Sequence, residues 1–164
     1  MFAKSILGFF TLLWLAPVAW AGLNIQHWET SQGARVVFVE NHDLPMLDVS
    51  VDFSAGSARD SREKSGLANL TRHLMTLGAG AYSERDIAEK LADVGAVMSG
   101  RFDADRAGFT LRTLSGNAER DQSVGLLSAI LAQPRFDAAV LEREKARVVA
   151  GLEEAATKPE SIGE

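Results

Sequence analysis

The apolar residues of this chain follow two periods in one fixed order, and that order limits the fold more than any other feature. Segments with a strand-like pattern come in pairs, and each pair is followed by two segments whose apolar residues are three or four positions apart, as in helices. Strands that follow each other directly favour antiparallel pairing, and amphipathic helices need an apolar sheet face to cover. The order therefore predicts an α+β domain with an antiparallel sheet and helices packed on one face.

Four strands are predicted. Residues 34–40 are mostly β-branched or aromatic, and residues 47–53 alternate apolar and polar side chains after a short turn, so we expect a hairpin-like return between these two strands. Residues 96–102 and 106–114 lie on either side of an Asp-Ala-Asp turn. We expect this second pair to form an antiparallel hairpin.

Four helices are predicted from the spacing of apolar residues. Ser83 and Asp86 form a capping pair that opens the second helix, and Gly95 ends it. The alternating charges of residues 142–145 in the fourth helix indicate a face exposed to solvent. The apolar positions of the first helix are Leu67, Leu70, Leu74 and Leu77, and Gly78 and Gly80 end it; those of the second are Ile87, Leu91 and Val94. Those of the third, residues 118–133, are Val124, Leu127 and Leu131, and those of the fourth, residues 137–156, are Val140, Leu141, Val148 and Leu152.

The first 21 residues are typical of a cleavable signal peptide. Lys4 precedes an apolar run from Ile6 to Val18, and residues 19–21 have the small-x-small pattern of a cleavage site. The run is short for a membrane span of about 20 apolar residues, and Pro17 interrupts it, so no stable membrane anchor is expected. Cleavage would leave residues 22–164 as one domain.

Charge and composition limit the location and the partners of this domain. Removal of Lys4 leaves 16 basic residues against 22 acidic ones in residues 22–164, a net charge of −6, whereas a nucleic-acid partner requires a basic face. The chain has no cysteine, so an exported form relies on packing or on a partner rather than on disulfides. We expect a periplasmic protein, with secretion as the alternative, and no nucleic-acid partner.

The first predicted helix carries a short motif that points to chemistry. Zinc peptidases of the inverted type place H-x-x-E-H on a helix, where two histidines hold the metal and the glutamate activates its water. These positions read Asn69, Arg72 and His73 here. Arginine stays protonated and cannot act as the base, and at about 5 Å and an effective dielectric near 20 it repels Zn²⁺ by roughly 6 kcal/mol. The motif therefore predicts no catalytic residue and no metal ligand.

Further short segments occur in one order and spacing along the chain. They are Leu44-Pro45, Ala55-Gly56-Ser57 with Asp60, Gly66-Leu67-Ala68 before the motif, residues 83–96, the turn at Asp103, and Gln133-Pro134-Arg135-Phe136. With these segments the chain resembles the N-terminal half-domain of the insulinase/pitrilysin family of zinc metallopeptidases. The resemblance implies a mitochondrial-processing-peptidase-like metallohydrolase half-domain, here a non-catalytic member with a degenerate motif. The half-domain of the family continues beyond Glu164, so we expect this chain to be C-terminally incomplete.

The resemblance also implies a third metal ligand, a glutamate from the last helix. Matching Val148-Val149 and Lys158-Pro159 to the family places that ligand near Ala150 or Gly151, and not on Glu144, Glu153 or Glu154. A site of His73 with Glu153 would offer two protein ligands, whereas catalytic zinc has three and a water. We therefore expect no cofactor, although active family members hold zinc.

Three functions stay open. The chain is a non-catalytic subunit that pairs with an active zinc-bearing homologue as a hetero-oligomer and helps to form a chamber for an extended peptide, and the lost ligands favour this interpretation. It is otherwise a zinc metalloendopeptidase that uses His73 and a carboxylate of the last helix, or a periplasmic binding or scaffold protein of the same fold. By itself it is not expected to be an enzyme.

The remaining motif and histidine side chains have simpler interpretations. A lone helical histidine such as His73 is typically a hydrogen-bonded structural residue, and His27 and His42 fit surface or turn positions. We expect Arg72 to be a solvated helix arginine, and Asn69 to be a small polar replacement.

Overall fold

The chain divides into two units, residues 1–44 and 45–164, and the computed structural model describes residues 24–157. The predicted signal peptide, residues 1–21, lies outside the described residues, as does Lys158-Pro159. None of the helices within residues 24–157 combines the length and the hydropathy that a membrane span requires.

The first unit contains one antiparallel hairpin. Strand β1 (Ile25–Glu29) pairs with β2 (Arg35–Val39), and Gly33 in the connecting turn has a φ of 84°, which favours glycine. The predicted strand at 34–40 is confirmed, whereas β1 was not predicted. Both histidines of this unit have exposed side chains, and the His42 Nε2 atom lies 2.9 Å from a carboxylate oxygen of Glu40.

The second unit contains five further strands and four helices within residues 45–157. Two short 3₁₀ turns, Ser57–Arg59 and Arg62–Lys64, precede the first helix. In chain order the elements are β3 (Met46–Phe53), α1 (Leu67–Met75), β4 (Gly78–Ala79), β5 (Tyr82–Ser83), α2 (Glu84–Asp93), β6 (Val97–Phe102), β7 (Ala107–Leu114), α3 (Asn117–Ala132) and α4 (Ala138–Ala156).

The main sheet has the strand order β3-β7-β6, and both of its pairings are antiparallel. The predicted hairpin of residues 96–102 and 106–114 is confirmed. The predicted hairpin-like return from residues 34–40 to 47–53 is wrong, because β2 pairs with β1 and β3 pairs with β7. The apolar alternation of β3 fixed which of its faces is buried but not which strand lies beside it.

The core lies on one face of this sheet, and the predicted α+β class is confirmed. Phe109 and Leu111 of β7 are each 1% exposed and pack with residues of α2 and α3. The opposite face is polar, since Thr110 lies between them in the alternation and the next residue on that face, Arg112, is exposed. The buried helix residues of this core are Ile87, Leu126, Leu127 and Ile130.

The predicted apolar face of the third helix is partly wrong. Val124 is 39% exposed, whereas Ser123 is fully buried. The Ser123 hydroxyl lies 3.0 Å from the hydroxyl of Thr113, which is also buried, so two polar groups satisfy each other inside the core. A polar pair of this kind cannot be found from apolar spacing.

The ends of α1 and α2 follow different rules. The capping box of Ser83 and Asp86 is confirmed, and Gly95 follows α2 with a φ of 62°. Helix α1 ends earlier than predicted, at Met75, and Gly78 belongs to the short strand β4. The capping box thus fixed the start of α2, whereas α1 ends at Met75, before the glycines that were predicted to end it.

Candidate functional site

Helix α1 carries the three motif positions, and its start is held by a distant carboxylate. Gly66, which precedes the helix, has a φ of 91° and therefore favours glycine. The backbone N–H groups of Gly66 and Ala68 donate to the two carboxylate oxygens of Asp60, at 2.9 and 3.0 Å. These bonds satisfy N–H groups that a helix start leaves without partners. Leu74 is buried and fixes the rotation of the helix.

His73 meets two side chains of α4. Its Nε2 atom lies 3.0 Å from Glu144 Oε2 and 3.0 Å from Arg147 Nη2. Glu144 and Arg147 are three positions apart on one helical face, and the same Nη2 atom is 2.8 Å from Glu144 Oε2. The predicted structural role of His73 is consistent with these bonds.

The lone pair or proton on His73 Nε2 is engaged in either tautomer. When Nε2 carries the proton, it donates to Glu144; when Nδ1 carries it, Nε2 accepts from Arg147, whose guanidinium only donates. A metal ion bound through Nε2 would need the same lone pair. The guanidinium of Arg147 is therefore the cation that contacts both His73 and Glu144.

Glu144 is the centre of this group, which we call the Glu144 cluster (Glu84, Arg143, Glu144, Arg147 and His73). Its side chain is 5% exposed, and its Oε1 atom accepts from Arg143 Nε at 2.9 Å, while Arg143 also donates to Glu84 at 2.8 Å. Burial acts to raise the pKa of Glu144, but hydrogen bonds from Arg143 and His73 and the charge of Arg147 outweigh burial and lower it. The carboxylate is therefore held ionised between two arginines.

Glu144 corrects the expected solvent-exposed face of residues 142–145. Glu142 and Lys145 are exposed and pair with each other at 3.0 Å, but Glu144 between them is buried. Sequence reasoning also set Glu144 aside as a partner of the motif. The sequence does contain an indication that Glu144 forms ion pairs, because arginines lie one and three positions away from it.

Arg72, at the position of the general base, is not the solvated arginine that we predicted. Its guanidinium lies against Gly100 of β6, where a Cβ atom would overlap it, and its Nη2 atom donates to Asn69 Oδ1 at 3.1 Å. The Nε atom is buried and has no hydrogen-bond partner within residues 24–157. Burial lowers the pKa of Arg72. Asn69 is thus the polar partner of Arg72.

These residues do not fit a zinc ion. The amide oxygen of Asn69 accepts from Arg72, the imidazole of His73 is engaged by Arg147 or Glu144, and Glu144 already balances two guanidinium groups. Within residues 24–157, no group of three or more His, Cys, Asp or Glu side chains is arranged to hold a metal ion. The carboxylate that meets His73 is Glu144, rather than Glu153.

Comparisons with known proteins agree with this fold. The profile of one family, described as Insulinase (Peptidase family M16), matches residues 35–164. The chain is similar to the crystal structure of a peptidase M16 inactive domain from Pseudomonas fluorescens, with 34% identity and a TM-score of 0.80. It is also similar to the crystal structure of pitrilysin, with 25% identity and a TM-score of 0.69.

Each of these matches covers 85% of this chain but a smaller part of the other protein. The chain spans 34% of the length of the Pseudomonas fluorescens chain and 15% of the length of pitrilysin. No curated protein sequence matches the chain.

Proposed function

We propose that this chain, which belongs to the insulinase family (peptidase family M16), is a non-catalytic subunit that pairs with an active zinc-bearing homologue. In this role it helps to form the chamber that holds an extended peptide, and the homologue supplies the zinc. The recognition of the family from sequence is confirmed, and the chain resembles a domain described as inactive.

The Glu144 cluster is the observation that carries this proposal. Zinc-dependent peptide hydrolysis needs metal ligands with free lone pairs and a base that accepts a proton from water. Here Arg147 engages the imidazole and the carboxylate, and Arg72 holds a proton that it does not release near neutral pH. Any zinc chemistry in the complex therefore belongs to another chain.

Two surfaces support roles in assembly and in peptide binding. Strand β6 is an edge of the β3-β7-β6 sheet within residues 45–157, so its backbone can pair with an extended peptide largely independently of peptide sequence. Helix α4 exposes Val148, Val149 and Leu152, which are 48%, 53% and 66% exposed and suit a protein partner. The predicted signal peptide adds the proposal that assembly takes place in the periplasm.

The test is co-expression of the full chain with a family member that has an intact H-x-x-E-H motif. We expect the two chains to co-elute in size-exclusion chromatography and the pair to cleave an unstructured peptide faster than the active chain alone. Glu144→Ala, which loosens the α1–α4 contact, should weaken the effect, whereas Glu142→Ala on the exposed side of α4 should not. Co-elution without faster cleavage would instead favour a scaffold.

Metal analysis of the purified chain tests the rival function of a metallopeptidase with an unusual site. We expect zinc far below one ion per chain after dialysis, and no loss of zinc on His73→Ala. Stoichiometric zinc that disappears in His73→Ala, together with peptide cleavage stopped by a chelator, contradicts the proposal.

A further inference from the structure

A cleft of about 620 Å³ lies beside the motif, between α1 and α4, and its charges are of one sign. Lys64, Arg72, Lys145 and Arg147 line it together with His73, and no acidic side chain is among its lining residues. The whole chain has a net charge of −5, so this positive cleft runs against the overall balance. A local excess of cations attracts an anionic ligand.

Two of these cations, Lys64 and Arg147, keep donors for a ligand. Lys64 makes no side-chain hydrogen bond or ion pair within residues 24–157, so its ammonium group is available. Arg147 uses only Nη2 in the Glu144 cluster, and a guanidinium has five N–H donors. Glu144 offsets the charge of Arg147, and Glu142 offsets that of Lys145. Within residues 24–157, the cations of the cleft without an acidic partner are therefore Lys64 and Arg72, while Arg147 contributes its remaining N–H donors.

Much of the lining of the cleft is apolar. Leu67 of α1 is 49% exposed and Val148 of α4 is 48% exposed, and both line the cleft with Leu70 and Leu141. Pockets of about 300–1,000 Å³ hold small ligands or short peptide segments rather than folded domains. The occupant must therefore be small, apolar on one side and negatively charged on the other.

We infer that this cleft binds the C-terminal residue of a peptide, with the terminal carboxylate on Lys64 and Arg147 and an apolar side chain on the apolar lining. A C-terminal residue carries a carboxylate and a side chain on the same carbon, whereas an internal Asp or Glu has only a polar side chain to offer. Carboxylates accept well-oriented bonds from guanidinium and ammonium groups. The inference rests on the proposed function only for the source of the peptide.

The experiment measures fluorescence anisotropy of peptides with a neutral dye at the N-terminus, added to the full chain alone. The first probe is an uncharged Gly/Ser-rich octapeptide that ends in leucine with a free carboxylate. The second is its C-terminal amide, and the third is an amide that ends in glutamate. We expect the free acid to bind about tenfold more tightly than either amide. No binding of the free acid, or equal affinity of the free acid and the leucine amide, overturns the inference, and equal affinity of the glutamate amide overturns the choice of a peptide end.

A matched pair of variants tests the position of the charge. Lys64 and Arg62 lie in the same 3₁₀ turn, but only Lys64 lines the cleft. We expect Lys64→Gln to weaken binding of the free acid about threefold and Arg62→Gln to leave it unchanged, although both lower the net charge equally. An equal loss in both variants, with circular dichroism unchanged, means that only overall charge matters and overturns the inference. This binding needs no partner chain, so its failure is distinguishable from failure of the proposed pairing.

Discussion

Arginine–carboxylate ion pairs occur both in the Glu144 cluster and on the open face of the main sheet. The carboxylate is buried in the cluster and exposed on the sheet. In the cluster, a carboxylate that is 5% exposed is held by Arg143, Arg147 and His73. On the sheet, Asp48 and Arg112 form a two-bond pair at 2.7 and 3.1 Å, but their side chains are 60% and 62% exposed. Water competes for the second pair, whereas a buried carboxylate that loses its partners is left without compensation. Burial, rather than the distance between donor and acceptor, decides which ion pair contributes to stability.

The largest effect is expected at a sheet position where no ion pair is involved. A Cβ atom at Gly108 of β7 would overlap the backbone carbonyl of Val51 on the neighbouring strand. Gly108→Ala should therefore lower the free energy of unfolding by about 3 kcal/mol, measured by urea denaturation. Gly125→Ala in α3 is the control, because nothing lies within 4 Å of the added atom, and it should be neutral or slightly stabilising. Equal losses in the two variants would mean that strand packing does not hold this sheet.

Removal of the buried carboxylate should come next. Glu144→Ala leaves Arg143, Arg147 and His73 without their shared acceptor, and we expect a loss of about 2 kcal/mol in the free energy of unfolding. Glu142→Ala removes an exposed carboxylate from the same helix and should cost much less. If both variants unfold at the same urea concentration, burial does not distinguish the two kinds of ion pair.

The pH dependence sharpens the comparison further. The folded protein lowers the pKa of Glu144, so the stability from this carboxylate is complete above its ordinary pKa of 4.5 and declines as pH falls through the folded value. The stability difference between the parent chain and Glu144→Gln should therefore be largest at neutral pH and shrink in acid. Urea titrations of both proteins at several pH values measure it. A difference that stays constant down to the acid limit contradicts the assignment of the ionised form.

The smallest effect is expected on the open face of the sheet. The hydrogen bond from Arg112 lowers the pKa of Asp48, but both side chains are solvated, so Asp48→Asn should leave the urea midpoint unchanged within error at neutral pH. Arg112→Gln should behave in the same way. A shift as large as that of Glu144→Ala would show that this exposed pair supports the sheet.

The parts of the fold that depend on neighbouring residues could be predicted from the sequence. The β6–β7 hairpin follows from two strands around a three-residue turn, and the capping box of Ser83 and Asp86 follows from a spacing of three. The partner of β3 could not be predicted, because it is chosen by packing against β7, which is more than fifty residues away. Strand β1 was missed because Gln26 and His27 interrupt its apolar pattern.

The candidate site likewise contains features that the sequence predicts and features that depend on packing between distant elements. The altered positions Asn69, Arg72 and His73 could be located from helical spacing, and the lack of a base at Arg72 follows from its chemistry. The contact of His73 with Glu144 joins residues 71 positions apart and depends on how α4 lies along α1. The position of Arg72 over Gly100 likewise depends on the packing of α1 against β6.

The guanidinium of Arg147 also sets what a redesigned zinc site at the motif positions would require. Asn69→His alone would add an imidazole next to a site where a cation is already bonded to His73 and Glu144. Arg72→Glu alone would add a base with no metal-bound water to act on. A redesigned zinc site would therefore need Arg147 replaced together with Asn69 and Arg72, as well as a third ligand.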